Sequence, residues 1–249
     1  MGKLDGKVAL VTGSGRNIGR ATVLKVAAEG AHVVVNSRTN QAEADAVAQE
    51  ARARGVQALS VLADVSNKDQ VEAMVARALS EFGRLDILIN NAAIRPHKPF
   101  TELTVQDWEA VRGVVLDGAL YCTRAVIGTM VANRYGRILF FTGEGAFTGG
   151  AGQAHVSAAK MGLVGMARSL ASEFAASNIR VNVVSPGSID TTRANPEWYS
   201  GRAPNAAGIP LGRQGTVDEI AATCLFLVSD DGGFITGQTI HVNGGVAYY

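Results

Sequence analysis

The chain has 249 residues, of which 47% are hydrophobic and 18% charged, and its formal net charge is +1 at pH 7. This balance, without a long basic run, argues against a nucleic-acid partner or an anionic membrane surface. No targeting segment or membrane-spanning apolar run is evident, so we expect a soluble, cytoplasmic protein. Cys122 and Cys224 stand in apolar stretches without metal-ligand spacing. They are therefore expected to be buried free thiols, and no metal site is predicted.

Short β-rich runs alternate with helical patterns along the whole chain, which is typical of a parallel sheet covered by helices on both faces. We therefore predict an α/β fold, with residues 1–249 forming one Rossmann-type, doubly wound domain. The first strand, KVALVT at 7–12, leads through a glycine-rich turn into a helix. Glycines at such a junction let the backbone approach a pyrophosphate at the helix N-terminus. The predicted dinucleotide-binding loop comprises Gly13, Gly15, Arg16, Asn17, Ile18 and Gly19.

The end of the second predicted strand indicates which dinucleotide binds. Ser37 and Arg38 follow that strand, where a site for NAD would place a carboxylate against the ribose hydroxyls. Arg38 instead offers a guanidinium to a 2′-phosphate, and Arg16 in the glycine loop can approach the same group. The sequence therefore favours NADP(H), with a solvated loop charge as the alternative role of Arg38.

Further candidate cofactor residues follow later strands, because the carboxyl ends of parallel strands form the ligand-binding edge of an open sheet. Asp64 is expected to accept a hydrogen bond from the adenine amino group, and Asn91 to lie near the nicotinamide ribose. The remaining candidates at these strand ends are Val65, Pro186, Gly187, Ile189 and Thr191.

Residues 192–215 are rich in Pro, Gly, Asn and Arg, and so long a loop in a compact domain is usually functional. We predict a lid on the substrate side. Its aromatic residues are expected to form an apolar wall together with Phe147, while its arginines either attract an anionic substrate or are solvated. The residues concerned are Arg193, Trp198, Tyr199, Arg202 and Arg213.

A second long pattern predicts a helix from Thr104 to about Asn133. Gly118 lies in its middle, where it costs about 1 kcal/mol relative to alanine. This cost indicates that another element packs closely against the helix at Gly118.

Together these segments resemble the short-chain dehydrogenase/reductase family, close to its 3-oxoacyl-carrier-protein reductases, over essentially the whole chain. The matching segments are TGSGRNIG at 12–19, Asp64-Val65, NNAA at 90–93, Lys160, PGSIDT at 186–191 and Gly244-Gly245. Asn17 stands where the family usually has its middle glycine. The resemblance implies a sheet of about seven strands, a small-molecule substrate and a homodimer or homotetramer.

The family's reaction centre combines an asparagine, a serine, a tyrosine and a lysine. The tyrosine protonates the carbonyl oxygen, and the lysine lowers the pKa of that tyrosine and holds the nicotinamide ribose. Lys160 matches the lysine, but the family's spacing places Val156 at the tyrosine, Gly143 at the serine and Val115 at the asparagine. The resemblance therefore implies an atypical centre in which only Lys160 is retained.

Two nearby residues are candidates to replace the missing acid. Glu144 follows a strand end, where a desolvated carboxyl can titrate near neutral pH, unless it faces solvent. His155 has a suitable unperturbed pKa, but it lies about 140° from Lys160 around a helix and serves only if the helix starts after it. Thr142 and Ser157 are weaker candidates, and Gln153 could orient a substrate.

Three functions remain open from the sequence. The first is an NADP(H)-dependent oxidoreductase acting on a carbonyl or alcohol, with Lys160, Glu144 and His155 as catalytic candidates. The second is a non-redox hydratase, dehydratase or lyase on the same fold. The third is a catalytically inactive protein that binds the cofactor, such as the partner of a related active subunit.

Overall fold

The computed structural model describes residues 2–192 and 206–249, and in them seven parallel strands form one sheet. The strands are β1 (Val8–Val11), β2 (His32–Ser37), β3 (Ala58–Leu62), β4 (Ile87–Asn90), β5 (Gly136–Phe141), β6 (Ile179–Pro186) and β7 (Thr239–Val242). Their order across the sheet is β3-β2-β1-β4-β5-β6-β7. The predicted doubly wound parallel sheet is confirmed.

Helices connect successive strands. They are α1 (Asn17–Ala28), α2 (Gln41–Arg52), α3 (Lys68–Phe82), α4 (Val105–Arg112), α5 (Gly118–Ala132), α6 (Glu144–Thr148), α7 (Ala154–Phe174) and α8 (Val217–Val228). The short helix α6 was not predicted, because its glycine-rich sequence shows no apolar period.

The core has two halves because neighbouring side chains of a strand point to opposite faces of the sheet. In β4, Leu88 packs into the cluster under α3, α5 and α7, whereas Ile87 and Ile89 pack into the cluster under α1, α2 and α8. Each fully buried side chain of this size contributes about 1.5–3 kcal/mol. Both cysteines are buried free thiols as predicted, and burial raises each thiol's pKa to about 12.

The helix predicted from Thr104 contains a π-helical turn at Gly113–Asp117, which separates α4 from α5. A Cβ on Gly118 would lie 2.9 Å from Val65 Cγ2, so the close approach expected at this glycine is present, although the neighbour is the loop after β3 and not a helix or strand. By length and composition alone, Val105–Ala132 is able to cross a membrane, and the prediction that no run has this property was wrong. Here one side of the segment packs into the core, where Cys122 and Met130 are fully buried, whereas Val105 and Leu120 are exposed.

The sheet order changes direction between β1 and β4, since the chain runs outward to β3 on one side and to β7 on the other. Loops on either side of such a switch point separate and leave a crevice at the carboxyl ends of the strands. The glycine-rich loop after β1 and the loop after β4 border this crevice. The fold therefore places the candidate site between the two halves of the sheet.

Candidate active site

A cavity of about 760 Å³ opens at this switch point. Every predicted cofactor residue lines it, as do Lys160 and Glu144, whereas His155 does not. The predicted residues in its wall are Gly13, Gly15, Arg16, Asn17, Ile18, Gly19, Ser37, Arg38, Asp64, Val65, Asn91, Glu144, Lys160, Pro186, Gly187, Ile189 and Thr191. The structure thus gathers strand ends that are far apart in sequence around one space.

Two asparagines hold the glycine-rich loop in place. Asn91 donates from Nδ2 to Thr12 O (2.8 Å) and to Gly13 O (3.0 Å). Asn36 accepts from Gly13 N (3.0 Å) and donates to Ala63 O (3.0 Å), which links the loop to the ends of β2 and β3. Sequence reasoning missed Asn36, although a polar residue among the valines of a buried strand was a usable signal.

Gly19 leaves the loop room to pack closely. A Cβ at this position would lie 2.5 Å from Gly13 O and 2.7 Å from Asn91 Nδ2. Gly13 itself has a positive φ of 61°, a conformation that favours glycine. The loop therefore brings backbone amides and the start of α1 to the cavity wall, which suits a diphosphate. The close packing at Gly19 and the backbone conformation of Gly13 therefore fit a bound dinucleotide.

Asn17, at the position of the family's middle glycine, has a φ of +50°. Asparagine is among the few residues other than glycine that adopt this left-handed conformation readily. Its side chain donates to Thr192 O (2.8 Å) and accepts from Thr192 N (3.0 Å). Asn17 therefore retains the backbone shape and joins the glycine loop to the first residue of the predicted lid.

Both positively and negatively charged side chains lie around the end of β2, whereas only arginines were predicted there. Arg16 and Arg38 line the cavity, and neither guanidinium has a hydrogen bond or ion pair with another side chain in the described parts of the chain. Glu43 lines it as well, with Oε2 placed 3.3 Å from where a Cβ of Gly15 would be. The sequence reading missed Glu43 because it considered the strand end alone, whereas this residue lies in the first turn of α2.

Asp64 has local partners within the cavity wall. Its Oδ1 accepts hydrogen bonds from Ser66 N (2.9 Å) and Ser66 Oγ (2.7 Å). The cap of α3 is Asn67, which accepts from Gln70 N (3.1 Å). The carboxylate is therefore fixed at the cavity edge, and its contact with adenine stays a prediction.

Lys160 lies on α7 with its side chain buried in the cavity wall. Its Nζ donates to Phe141 O at 2.6 Å, and no described carboxylate forms an ion pair with it. Burial, followed by the positive charge of Arg95, lowers the pKa of Lys160 to about 7. At neutral pH a larger fraction of this lysine is therefore free amine than in an exposed lysine.

Two of the three positions where the resemblance predicts an amide and two hydroxyls line the cavity with this lysine, and the third lies in the π-helical turn between α4 and α5. Val156 lies one helical turn before Lys160 and lines the cavity. Gly143 lies two residues after β5, and Pro186 O, at 3.9 Å, is the nearest atom that a Cβ on Gly143 would meet. Val115 is buried inside the π-helical turn. None of these side chains can donate or accept a proton.

Glu144 begins α6, directly after Gly143. Its Oε2 lies 3.0 Å from the position of a Cβ on Gly187, so that glycine leaves space for the carboxyl group. The side chain is partly buried in the cavity wall, and desolvation raises its pKa. Glu144 is thus a carboxyl group that holds its proton to a higher pH than an exposed glutamate does.

His155 is placed differently. Helix α7 begins at Ala154, so the condition for His155 to turn into the cavity is not met. The imidazole is 2% exposed, and neither ring nitrogen has a hydrogen-bond partner among the described residues. Burial lowers its pKa, with smaller effects from Asp107, His97 and Lys98. The imidazole therefore packs near α4, away from the cavity.

The weaker candidates have structural partners. Thr142 Oγ1 donates to Lys160 O (3.4 Å), and Ser157 Oγ donates to Gly145 O (3.2 Å) from the cavity wall. Gln153 also lines the cavity. Phe147 packs against His241 and Tyr249 and does not line it, contrary to the expected apolar wall.

Most of the predicted lid lies outside the described residues, including Arg193, Trp198, Tyr199 and Arg202. Arg213, which is described, pairs with Glu219 at 2.5 Å on the surface. This ion pair favours the interpretation of Arg213 as a surface charge.

The sheet order, the glycine loop and the cavity define a dinucleotide-binding α/β protein. A family model described as "Enoyl-(Acyl carrier protein) reductase" matches residues 13–247. The chain belongs to this family, and with it to the short-chain dehydrogenases/reductases, a class of oxidoreductases that use a nicotinamide cofactor.

Three similar proteins cover nearly the whole chain. The 3-oxoacyl-[acyl-carrier-protein] reductase of Synechocystis sp. is 40% identical over 100% of both chains. The (2S)-[(R)-hydroxy(phenyl)methyl]succinyl-CoA dehydrogenase subunit BbsD of Thauera aromatica is 41% identical over 97% of each. The crystal structure of levodione reductase superposes with a TM-score of 0.92 at 30% identity, covering 99% of this chain and 100% of that one.

Proposed function

We propose that the protein is an NADP(H)-dependent oxidoreductase that reduces the carbonyl group of a small molecule, with a non-standard centre formed by Lys160 and Glu144. The observation that carries this proposal is the placement of both residues in the wall of the cavity that also contains the glycine loop. Relatives named as reductases and a dehydrogenase support carbonyl–alcohol chemistry.

NADP(H) is proposed over NAD(H) because Arg16 and Arg38 offer two guanidinium groups to one end of the cavity. A carboxylate, Glu43, lies in the same wall, and the two arginines leave a net positive charge beside it. A 2′-phosphate would gain charge-assisted hydrogen bonds from these arginines. When bound, the reduced cofactor supplies a hydride to the substrate carbonyl carbon.

Glu144 is proposed to supply the proton that the carbonyl oxygen needs, in place of a tyrosine at Val156. Its raised pKa keeps a larger fraction of the carboxyl protonated near neutral pH. Lys160 holds the nicotinamide ribose by hydrogen bonding. Since Glu144 acts as an acid, the reduction rate should fall as the pH rises through the pKa of this carboxyl.

The test is NADPH oxidation by the purified protein with a panel of ketones and 3-oxoacyl thioesters. We expect Glu144→Gln to lower kcat by about 10²- to 10⁴-fold without changing NADPH affinity. Glu109→Gln, at an exposed position of α4, is the matched control and should leave the rate unchanged. Unchanged turnover in Glu144→Gln would remove Glu144 from the mechanism.

Cofactor choice is tested separately by binding. Arg38→Ala should weaken NADPH binding by about 10- to 100-fold, because a hydrogen bond to a charged group contributes about 1.5–3 kcal/mol. NADH binding should change little. An equal loss for both cofactors would contradict the proposed recognition of the 2′-phosphate.

A second candidate is a cofactor-binding subunit without turnover of its own. It is favoured by Val115, Gly143 and Val156, which carry no proton-transferring group, and by the similarity to a relative named as a dehydrogenase subunit. Tight NADPH binding without oxidation on any substrate, together with turnover when a tyrosine-bearing homologue is co-expressed, would support this candidate. The homodimer or homotetramer and the cytoplasmic location remain predictions.

A further inference from the structure

The amine of Lys160 has an unusual environment for a lysine. Its Nζ makes one hydrogen bond to a backbone carbonyl, Phe141 O, and has no ion pair with a described carboxylate. A buried ammonium without a counter-ion is costly, so burial favours loss of its proton. The result is a pKa of about 7, at which a substantial fraction is nucleophilic free amine.

The surroundings of this amine leave access from the cavity. Val156, one turn earlier on the same helix face, has no hydroxyl group that could hydrogen-bond the amine. On the other side, Gly143 carries no side chain, and even a Cβ there would have no atom closer than 3.9 Å. A small ligand in the cavity can therefore approach Lys160 without displacing a polar side chain at either position.

We propose that Lys160 is a covalent capture site for small ketones and aldehydes in the nucleotide-free protein. The Nζ lone pair adds to the carbonyl carbon as the C=O π bond breaks, one N–H proton passes to the carbonyl oxygen, and a carbinolamine forms. The hydroxyl group then leaves as water after taking one proton from the Glu144 carboxyl group, and a protonated imine remains. The step is reversible by hydrolysis and consumes no oxidant or reductant.

This activity is independent of hydride transfer and does not require the proposed reductase function. It requires a neutral amine facing a space large enough for the carbonyl compound, and a nearby proton donor. Lys160 and Glu144 both line the cavity of about 760 Å³, which has room for such a compound, and the proposal places the carbonyl group between them. A nucleotide bound with its ribose at Lys160 would compete with the carbonyl ligand.

The experiment is trapping with acetone and sodium borohydride at pH 7, followed by peptide mass mapping of the chain's six lysines. The exposed Lys25 is the internal control. At pH 7 the fraction of free amine is about 10³-fold higher for Lys160 than for an ordinary lysine, which by itself would speed labelling by that factor. Limited access to the buried amine makes the expected difference in labelling rate smaller. We expect Lys160 to be labelled at least about 10-fold faster than Lys25, with protection by NADPH.

Two variants sharpen the result. Val156→Tyr fills the space beside the amine with a phenol and should slow labelling of Lys160, whereas Val156→Ala should not. Labelling of Lys160 no faster than Lys25 in wild-type protein would overturn the proposal, whatever the variants do. Because NADPH oxidation is measured separately, failure of covalent capture and failure of the reductase function give different results.

Discussion

The two ends of the cavity differ in how they are formed. At the glycine-rich end, Asn36 and Asn91 hold the backbone through several hydrogen bonds, and a Cβ at Gly19 would collide with its neighbours. At the other end, a buried lysine and a partly buried glutamate face a wall in which Gly143 and Val156 contribute no polar groups. The comparison teaches that backbone hydrogen bonds and close packing fix one end of the cavity, whereas the chemistry of the other end depends on the individual side chains that line it.

The largest predicted effect comes from making the second end resemble the family's usual centre. The double substitution Gly143→Ser and Val156→Tyr, made in the Glu144→Gln background that lacks the proposed acid, should raise kcat/KM for ketone reduction by about 10²- to 10⁴-fold, because it supplies an acid beside Lys160. The backbone allows it, since Gly143 has an ordinary extended φ of 178° and open space at its Cβ position.

The measurement is NADPH oxidation with the same ketone panel. The matched control is Gly143→Ser with Val156→Phe, which adds the ring without the hydroxyl group. If the tyrosine and phenylalanine variants react at the same rate, the missing hydroxyl group is not what limits this centre.

A second prediction concerns the close packing of the glycine-rich end. Gly19→Ala should lower the free energy of unfolding by about 1–3 kcal/mol and weaken NADPH binding, because the added methyl group overlaps Gly13 O and Asn91 Nδ2. Gly128→Ala is the control, since Gly128 lies within α5 with open space at its Cβ position. That change should stabilise the protein by up to about 1 kcal/mol.

Urea unfolding and NADPH titration measure both variants. Wild-type stability and affinity in Gly19→Ala would show that the loop can move aside. The two ends of the cavity would then differ in the residues that form them, but not in how tightly the backbone is packed.

A third prediction uses His155, which is buried outside the cavity. Folding lowers the pKa of His155. Between the folded pKa and the unfolded pKa of about 6.5, the unfolded chain therefore binds more protons than the folded chain. Stability is therefore full above about pH 6.5 and decreases as the pH falls below it. His155→Leu should remove this part of the pH dependence.

The same variant should not destabilise the protein at pH 7, and removing a buried imidazole without partners could add roughly 1–3 kcal/mol. Urea unfolding between pH 5 and pH 8 measures both effects. His241, whose pKa burial also lowers, is present in wild type and variant alike and cancels in the difference. An unchanged pH slope in His155→Leu would contradict the assignment.

The sequence predicted the glycine-rich end of the cavity better than the end that contains Lys160 and Glu144. The fold and the cavity wall were predictable because they depend on backbone geometry. That geometry is set by residues close together in the sequence, such as the apolar runs of the strands and Gly13 and Gly19 in the loop. Glu43 and Asn36 were missed because their roles depend on how α2 and β2 meet the loop in space. The direction of His155 depended on where α7 begins, which the glycine-rich segment at 149–152 left undetermined.

The smallest predicted effect concerns the contact between Asn17 and Thr192, which joins the glycine-rich end to the first residue of the predicted lid. Asn17→Gly removes both side-chain hydrogen bonds and relaxes the backbone, so we expect a loss of about 0.5 kcal/mol for this exposed pair. Asn17→Ala removes the same bonds and keeps a Cβ at a positive φ, which adds about 1–2 kcal/mol of strain.

Urea unfolding of the two variants separates these contributions. The difference between Asn17→Ala and Asn17→Gly measures the backbone strain, and that between Asn17→Gly and wild type measures the contact with Thr192. If alanine and glycine at this position are equally stable, the left-handed conformation does not explain why asparagine replaces the family's glycine. A selective loss of NADPH affinity in Asn17→Gly, without a change in stability, would show that the contact positions the lid for the cofactor.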